Sequence, residues 1–107
     1  SIISIGQDAF HNNQLVKVVF PDSLINIEEG AFANNQMTNL VIPNSVTTIK
    51  ESAFWNNQLT EVIISNSVTH IGSYAFYNNK ITSVVIPNPM THLDVLAFDY
   101  SVKIKRN

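Results

Sequence analysis

One spacing constrains this chain more than any other feature: Ala-Phe stands at 9–10, 31–32, 53–54, 75–76 and 97–98, a constant step of 22 residues. Asn-Asn follows at 12–13, 34–35, 56–57 and 78–79. A fixed period in this range marks a solenoid, because one turn of chain cannot bury its own apolar face and needs its neighbours to cover it. The stretch Ala53-Phe54-Trp55-Asn56-Asn57-Gln58-Leu59 is the clearest copy.

Laid on this period, the hydrophobic residues fall into columns. Leu15, Met37, Leu59 and Ile81 align; so do Val18, Leu40, Val62 and Val84, and then Phe20, Ile42, Ile64 and Ile86. Two further columns are Ile2, Leu24, Val46, Val68, Met90 and Ile5, Ile27, Ile49, Ile71, Leu93. Each column keeps one size class, which stacked coils need if the interior is to fill without voids. These columns are the expected core. Within a coil, Glu61-Val62-Ile63-Ile64 alternates as a short strand does, and Pro21, Pro43 and Pro87 end such strands by lacking an N–H. A second extended piece is expected near Val68–Ile71, and Ile71-Gly72-Ser73-Tyr74-Ala75-Phe76 suggests a single helical or 3₁₀ turn. Equivalent strands of successive coils should pair in parallel about 4.8 Å apart.

The period divides the single domain 1–107 into a partial first coil 1–14, repeats 15–36, 37–58, 59–80 and 81–98, and a closing segment 99–107. The first coil lacks its main strand and should leave the next coil's face uncovered, a surface open to self-association. After Phe98 the pattern changes to Asp99-Tyr100-Ser101 and then Val102-Lys103-Ile104-Lys105, which reads as a final edge strand whose lysines discourage further pairing. Asn13, Asn35, Asn57 and Asn79 form a polar column beside the phenylalanines. An amide pointing into the coil would satisfy backbone groups freed where the chain turns, and the second asparagine of each pair is expected to do this.

With Leu59-x-x-Val62-x-Ile64-Ser65-x-x-Val68-x-x-Ile71-Gly72-x-x-Ala75-Phe76-x-x-Asn79 assembled, the chain resembles the BspA-like leucine-rich repeats of bacterial and some protist surface proteins. The resemblance spans about 1–98. Members often carry a cysteine where this chain has Asn35, Asn57 or Asn79, and their unit is often one residue longer; an inward asparagine is compatible with the same scaffold. The resemblance implies a leucine-rich repeat solenoid of right-handed horseshoe type, with a parallel sheet on its concave side. It also implies a secreted or surface-attached location and a protein partner on a host or another cell.

Composition excludes several classes. A net charge of −2 with 13% charged residues offers no basic face for nucleic acid. No run reaches the roughly 18 apolar residues of a membrane span, and no cysteine is present for disulfides or thiol chemistry. The carboxylates form no column and do not keep company with a histidine, and no nucleophile, phosphate-loop or metal-ligand motif is found. The expectation is therefore a non-enzymatic module with no catalytic, cofactor or metal residue. His70 and His92 stand one period apart and could share a transition metal, but with no third ligand in register they are read as exposed variable positions. The threonine columns Thr38, Thr60, Thr82 and Thr47, Thr69, Thr91 are read as hydroxyl-to-backbone bonding sites.

A partner is expected on the concave face. There the outward columns are Val19, Val41, Ile63, Val85 and Lys17, Asn39, Glu61, Ser83; the first is a contiguous apolar line of the kind that marks contact surfaces. Trp55 and Tyr77 form a secondary candidate, since adjacent surface aromatics can anchor a protein or stack on a sugar ring. The alternatives to protein binding are a carbohydrate or cell-wall binding module and a structural spacer attached to another domain.

Overall fold

Successive coils stack so that equivalent residues lie side by side at a step of 22. The computed structural model describes residues 2–87 and 92–106; the expected core residue Met90 and the threonine at 91 lie outside them. Five two-residue strands, β1 (Ser4–Ile5), β2 (Asn26–Ile27), β4 (Thr48–Ile49), β6 (His70–Ile71) and β8 (His92–Leu93), form one parallel sheet in that order. The main strands, β3 (Asn39–Val41), β5 (Glu61–Ile63) and β7 (Ser83–Ile86), lie between them in sequence and build the other side of each coil. β3 pairs in parallel with β5, Leu40 opposite Val62 and Val41 opposite Ile63.

The columns are the core. Leu24, Val46 and Val68 are fully buried, as are Ile27, Ile49 and Ile71, and Met37 and Leu59. At their centre runs a stack of phenylalanines: Phe10, Phe32, Phe54, Phe76 and Phe98 lie face to face with centroids 5.3, 5.4, 5.4 and 5.1 Å apart. The spacing exceeds the strand separation of about 4.8 Å only slightly, so the offset rings keep the stacking distance that aromatic pairs favour. Phe20 meets Phe32 and Phe54 edge-on. Towards the first coil this packing opens: Ile2, Ile3, Phe10 and Val16 are exposed.

The expected helical turn at each Ala-Phe corner does not form; no helix occurs among the described residues. The reason is where the N–H groups go. Ser52, Phe54 and Asn56 donate to Ser73, Ala75 and Tyr77 of the next coil, while Ala53 and Trp55 close local turns onto Lys50 and Ser52. Every second donor is thus spent sideways, leaving no continuous series along the chain. Two residues per corner also adopt a left-handed backbone: Asp8, Gly30, Ser52 and Tyr74 in one column, Asn12, Asn34, Asn56 and Asn78 in another. Right-handed helix cannot propagate through such residues, and asparagine and glycine are among the types that accept them.

In the second, third and fourth pairs the second asparagine points inward, as expected, whereas Asn13 of the first pair is exposed and its amide donates to the His11 carbonyl at 3.4 Å. The Asn57 amide donates to the carbonyls of Phe32 and Phe54 at 3.0 and 3.1 Å, and its Oδ1 accepts from the Met37 N–H at 3.1 Å. Asn35 and Asn79 repeat this one coil either side. The first asparagines form a second, surface ladder: Asn78 donates to Asn56 and Asn56 to Asn34, with His11 against Asn34. The hydroxyls of Thr60 and Thr69 donate to the carbonyls of Thr38 and Thr47, so the threonine columns tie coil to coil.

At the far end β9 (Lys103–Arg106) pairs in parallel with β7, Ser83 opposite Lys103. The step here is 20 residues. The two-residue shortening accompanies Asp99, whose carboxylate accepts from the N–H groups of Asn78 and Asn79 at 2.8 and 3.1 Å. In the interior coils the first of these donors goes to a neighbouring carbonyl instead, as when Asn56 donates to Tyr77.

Candidate functional site

The main strands place Val41, Ile63 and Val85 on the outward side of their coils, each flanked by inward residues of the core columns; β3 pairs with β5 and β7 with β9, and among the described residues no pairing joins β5 to β7. Val41 follows buried Leu40, Ile63 follows Val62, and Val85 lies between Val84 and Ile86. The alternation follows from the period-2 geometry of a strand: three β-branched side chains line up across neighbouring coils, 61%, 55% and 49% exposed. Asn39, Glu61 and Ser83 form the parallel exposed row, so the face is an apolar line beside a polar one with one carboxylate.

Lys17 and Val19 continue both rows in sequence but sit differently. The segment 15–20 forms no strand, although Gln36 donates to the Leu15 carbonyl at 2.9 Å. Beyond that bond the ladder opens, and among the described residues no backbone hydrogen bond joins 16–20 to Thr38–Val41. A groove of about 540 Å³ lies along this opening, lined by Val16 to Phe20 and Asp22 on one side and Thr38 to Val41 and Pro43 on the other. Val19 projects from its edge, 83% exposed. The outward rows are thus paired only over β3 and β5; a second opening, of about 320 Å³ and lined by Glu61 to Ile64 and Ser83 to Val85, separates β5 from β7 as the first separates 16–20 from β3.

Trp55 and Tyr77 are half-buried at neighbouring corners. A shallow hollow there is lined by Trp55, Ser52 and Tyr74, and Tyr74 meets Tyr77 edge-on with centroids 5.3 Å apart. Tyr74 has no part in the sequence reading of this corner. Its column holds Asp8, Gly30 and Ser52, and the glycine is the one signal that these positions share a left-handed backbone. In that conformation the tyrosine leaves the coil surface and joins the neighbouring aromatics.

Among the described residues no three or more His, Asp or Glu side chains gather where they could hold a metal ion. No helix among them is long and apolar enough to cross a membrane.

A family model for the BspA type leucine rich repeat region matches residues 1–105 in six copies. The chain belongs to this family. No curated protein and no solved structure gives a match. Membership agrees with the stacked parallel coils and places the chain among repeat modules whose scaffold is typically non-enzymatic. BspA-type leucine-rich repeats share the frame of inward columns, so whatever distinguishes one member's ligand lies in positions the frame leaves free. In this chain those include the two outward rows and the aromatic corner.

Proposed function

We propose that this chain is a protein-binding, adhesive module of a bacterial surface or secreted protein, acting outside the cell on a host protein or another cell's surface. The observation that carries the reading is the outward line of Val41, Ile63 and Val85. Three β-branched side chains stay exposed on successive coils, outside the buried core columns. An apolar line across three successive coils, flanked by Asn39, Glu61 and Ser83, is the composition of a contact surface with an apolar centre and a polar rim. Lys17 and Val19 extend it toward the groove. The double variant Val41→Lys, Ile63→Lys tests this: both positions are exposed, so the thermal melt should stay within a few degrees while binding of the labelled chain to intact host or bacterial cells is lost. Undiminished binding would exclude this face.

A second reading rests on the hollow beside Trp55. Stacked on a sugar ring, Trp55 with Tyr74 and Tyr77 would make the module a carbohydrate or cell-wall binder. Glycan-array binding abolished by Trp55→Ala, with cell binding lost in the same variant and kept in the Val41→Lys, Ile63→Lys pair, would favour it over the protein-binding reading.

A further inference from the structure

His70 on β6 and His92 on β8 are directly opposed in the parallel register. Both side chains are exposed, and their rings lie 5.9 Å apart, tilted by 30°. With metal–nitrogen bonds of about 2.0–2.1 Å, the centroids of two imidazoles on one ion sit roughly 5–6 Å apart at tetrahedral or somewhat wider angles. The pair is already at that separation.

The surroundings also fix one ring. Thr69 Oγ1 lies 2.8 Å from His70 Nδ1 and donates its own proton to the Thr47 carbonyl at 3.3 Å. The direction of the 2.8 Å contact depends on the imidazole tautomer, since a hydroxyl can donate or accept. When His70 carries its proton on Nδ1, the Thr69 oxygen accepts it and the Nε2 lone pair is left for a metal, the arrangement by which a neighbouring acceptor orients a metal-ligating histidine. The Thr69 bond to Thr47 is itself part of the coil-to-coil threonine column, so the repeat frame presets the ring.

We propose that His70 and His92 form a two-imidazole site for a borderline divalent transition metal: Cu²⁺, Ni²⁺ or Zn²⁺. Imidazole nitrogen suits all three ions, and affinities for a given nitrogen site rise to copper in the divalent series. Two protein ligands leave the remaining positions to water or to a donor from a bound partner. The site lies on the sheet of β1, β2, β4, β6 and β8, away from Val41, Ile63 and Val85, so it is independent of the proposed contact face.

Titration of the purified chain with Cu²⁺ followed by calorimetry, in a non-chelating buffer, tests the site. One ion per chain is expected. His70→Asn or His92→Asn should each weaken binding by tenfold or more, while His11→Asn leaves it unchanged. Thr69→Val, which keeps both imidazoles but removes the hydroxyl beside Nδ1, should weaken binding by about tenfold. Because His70 and His92 are exposed, far-ultraviolet circular dichroism should show each variant folded. The absence of one-to-one binding by the unaltered chain, or unaltered binding by the His70→Asn, His92→Asn double variant, would overturn the assignment.

Discussion

Asn57 reaches one coil back to Phe32: its side-chain amide donates to the Phe32 carbonyl at 3.0 Å while also donating to Phe54 of its own coil. One buried side chain thus bridges two successive turns of backbone at the point where each bends.

Removing that bridge should be costly. Asn57→Ala leaves the Phe32 and Phe54 carbonyls and the Met37 N–H without their side-chain partner, at about 1–3 kcal/mol for a group left buried and unpaired. Summed with partial relaxation, a loss of about 3 kcal/mol is expected by urea denaturation. The adjacent Asn56→Gly should move stability by only a few tenths, since Asn56 is exposed with φ of 58° and glycine accepts that backbone.

Phe54 lies between Phe32 and Phe76 with 5.4 Å to each centroid and no exposed surface. Phe54→Ala opens a cavity in the middle of the stack and should destabilise by about 3–5 kcal/mol. Phe10→Ala, at the exposed end of the same stack, should lower the melting temperature much less.

Asp99 offers its carboxylate to two backbone donors, Asn78 and Asn79, where interior coils present a backbone carbonyl to the first. Asp99→Ala should cost about 1–3 kcal/mol, the range of charge-assisted bonds to backbone N–H groups. Faster amide exchange confined to 78–79 and β9 would show that the loss is local; unchanged exchange there would remove Asp99 from this role.

Ser45 sits in the column of Ser23 and Ser67. Ser67 donates to the Val46 carbonyl at 2.8 Å and Ser23 to Ile2, whereas the buried Ser45 Oγ has no partner. An unpaired buried hydroxyl is unfavourable, so Ser45→Ala should stabilise by about 1 kcal/mol. Ser67→Ala, which removes a made bond, should destabilise by a similar amount. Parallel thermal melts of the two variants distinguish the signs.

Much of this was legible in the one-dimensional repeat. Because each coil contacts its neighbours in register, a column such as Ile27, Ile49, Ile71 records burial directly, and inward Asn57 follows from an invariant polar residue beside an invariant phenylalanine. The corner was harder. Ser73, Ala75 and the short Ala-Phe run suit a helical turn locally, but the coil above takes every second N–H and Tyr74 adopts a left-handed backbone. The segment around Lys17 and Val19 carries the same outward pattern as Val41 and Ile63, yet it forms no strand, because alternation specifies which face a side chain takes and not whether a neighbour stays paired.

The sequence by itself determined the solenoid, its period, its inward columns and its membership of the BspA-type leucine-rich repeats, since a period fixes which residues meet when contacts are between equivalent positions. Tertiary structure alone decided the direction of hydrogen bonds at each corner, the opening between 16–20 and β3, and the orientation of His70 through Thr69 and Thr47. Those depend on which neighbouring group captures a donor or leaves it free, and that competition is settled in three dimensions.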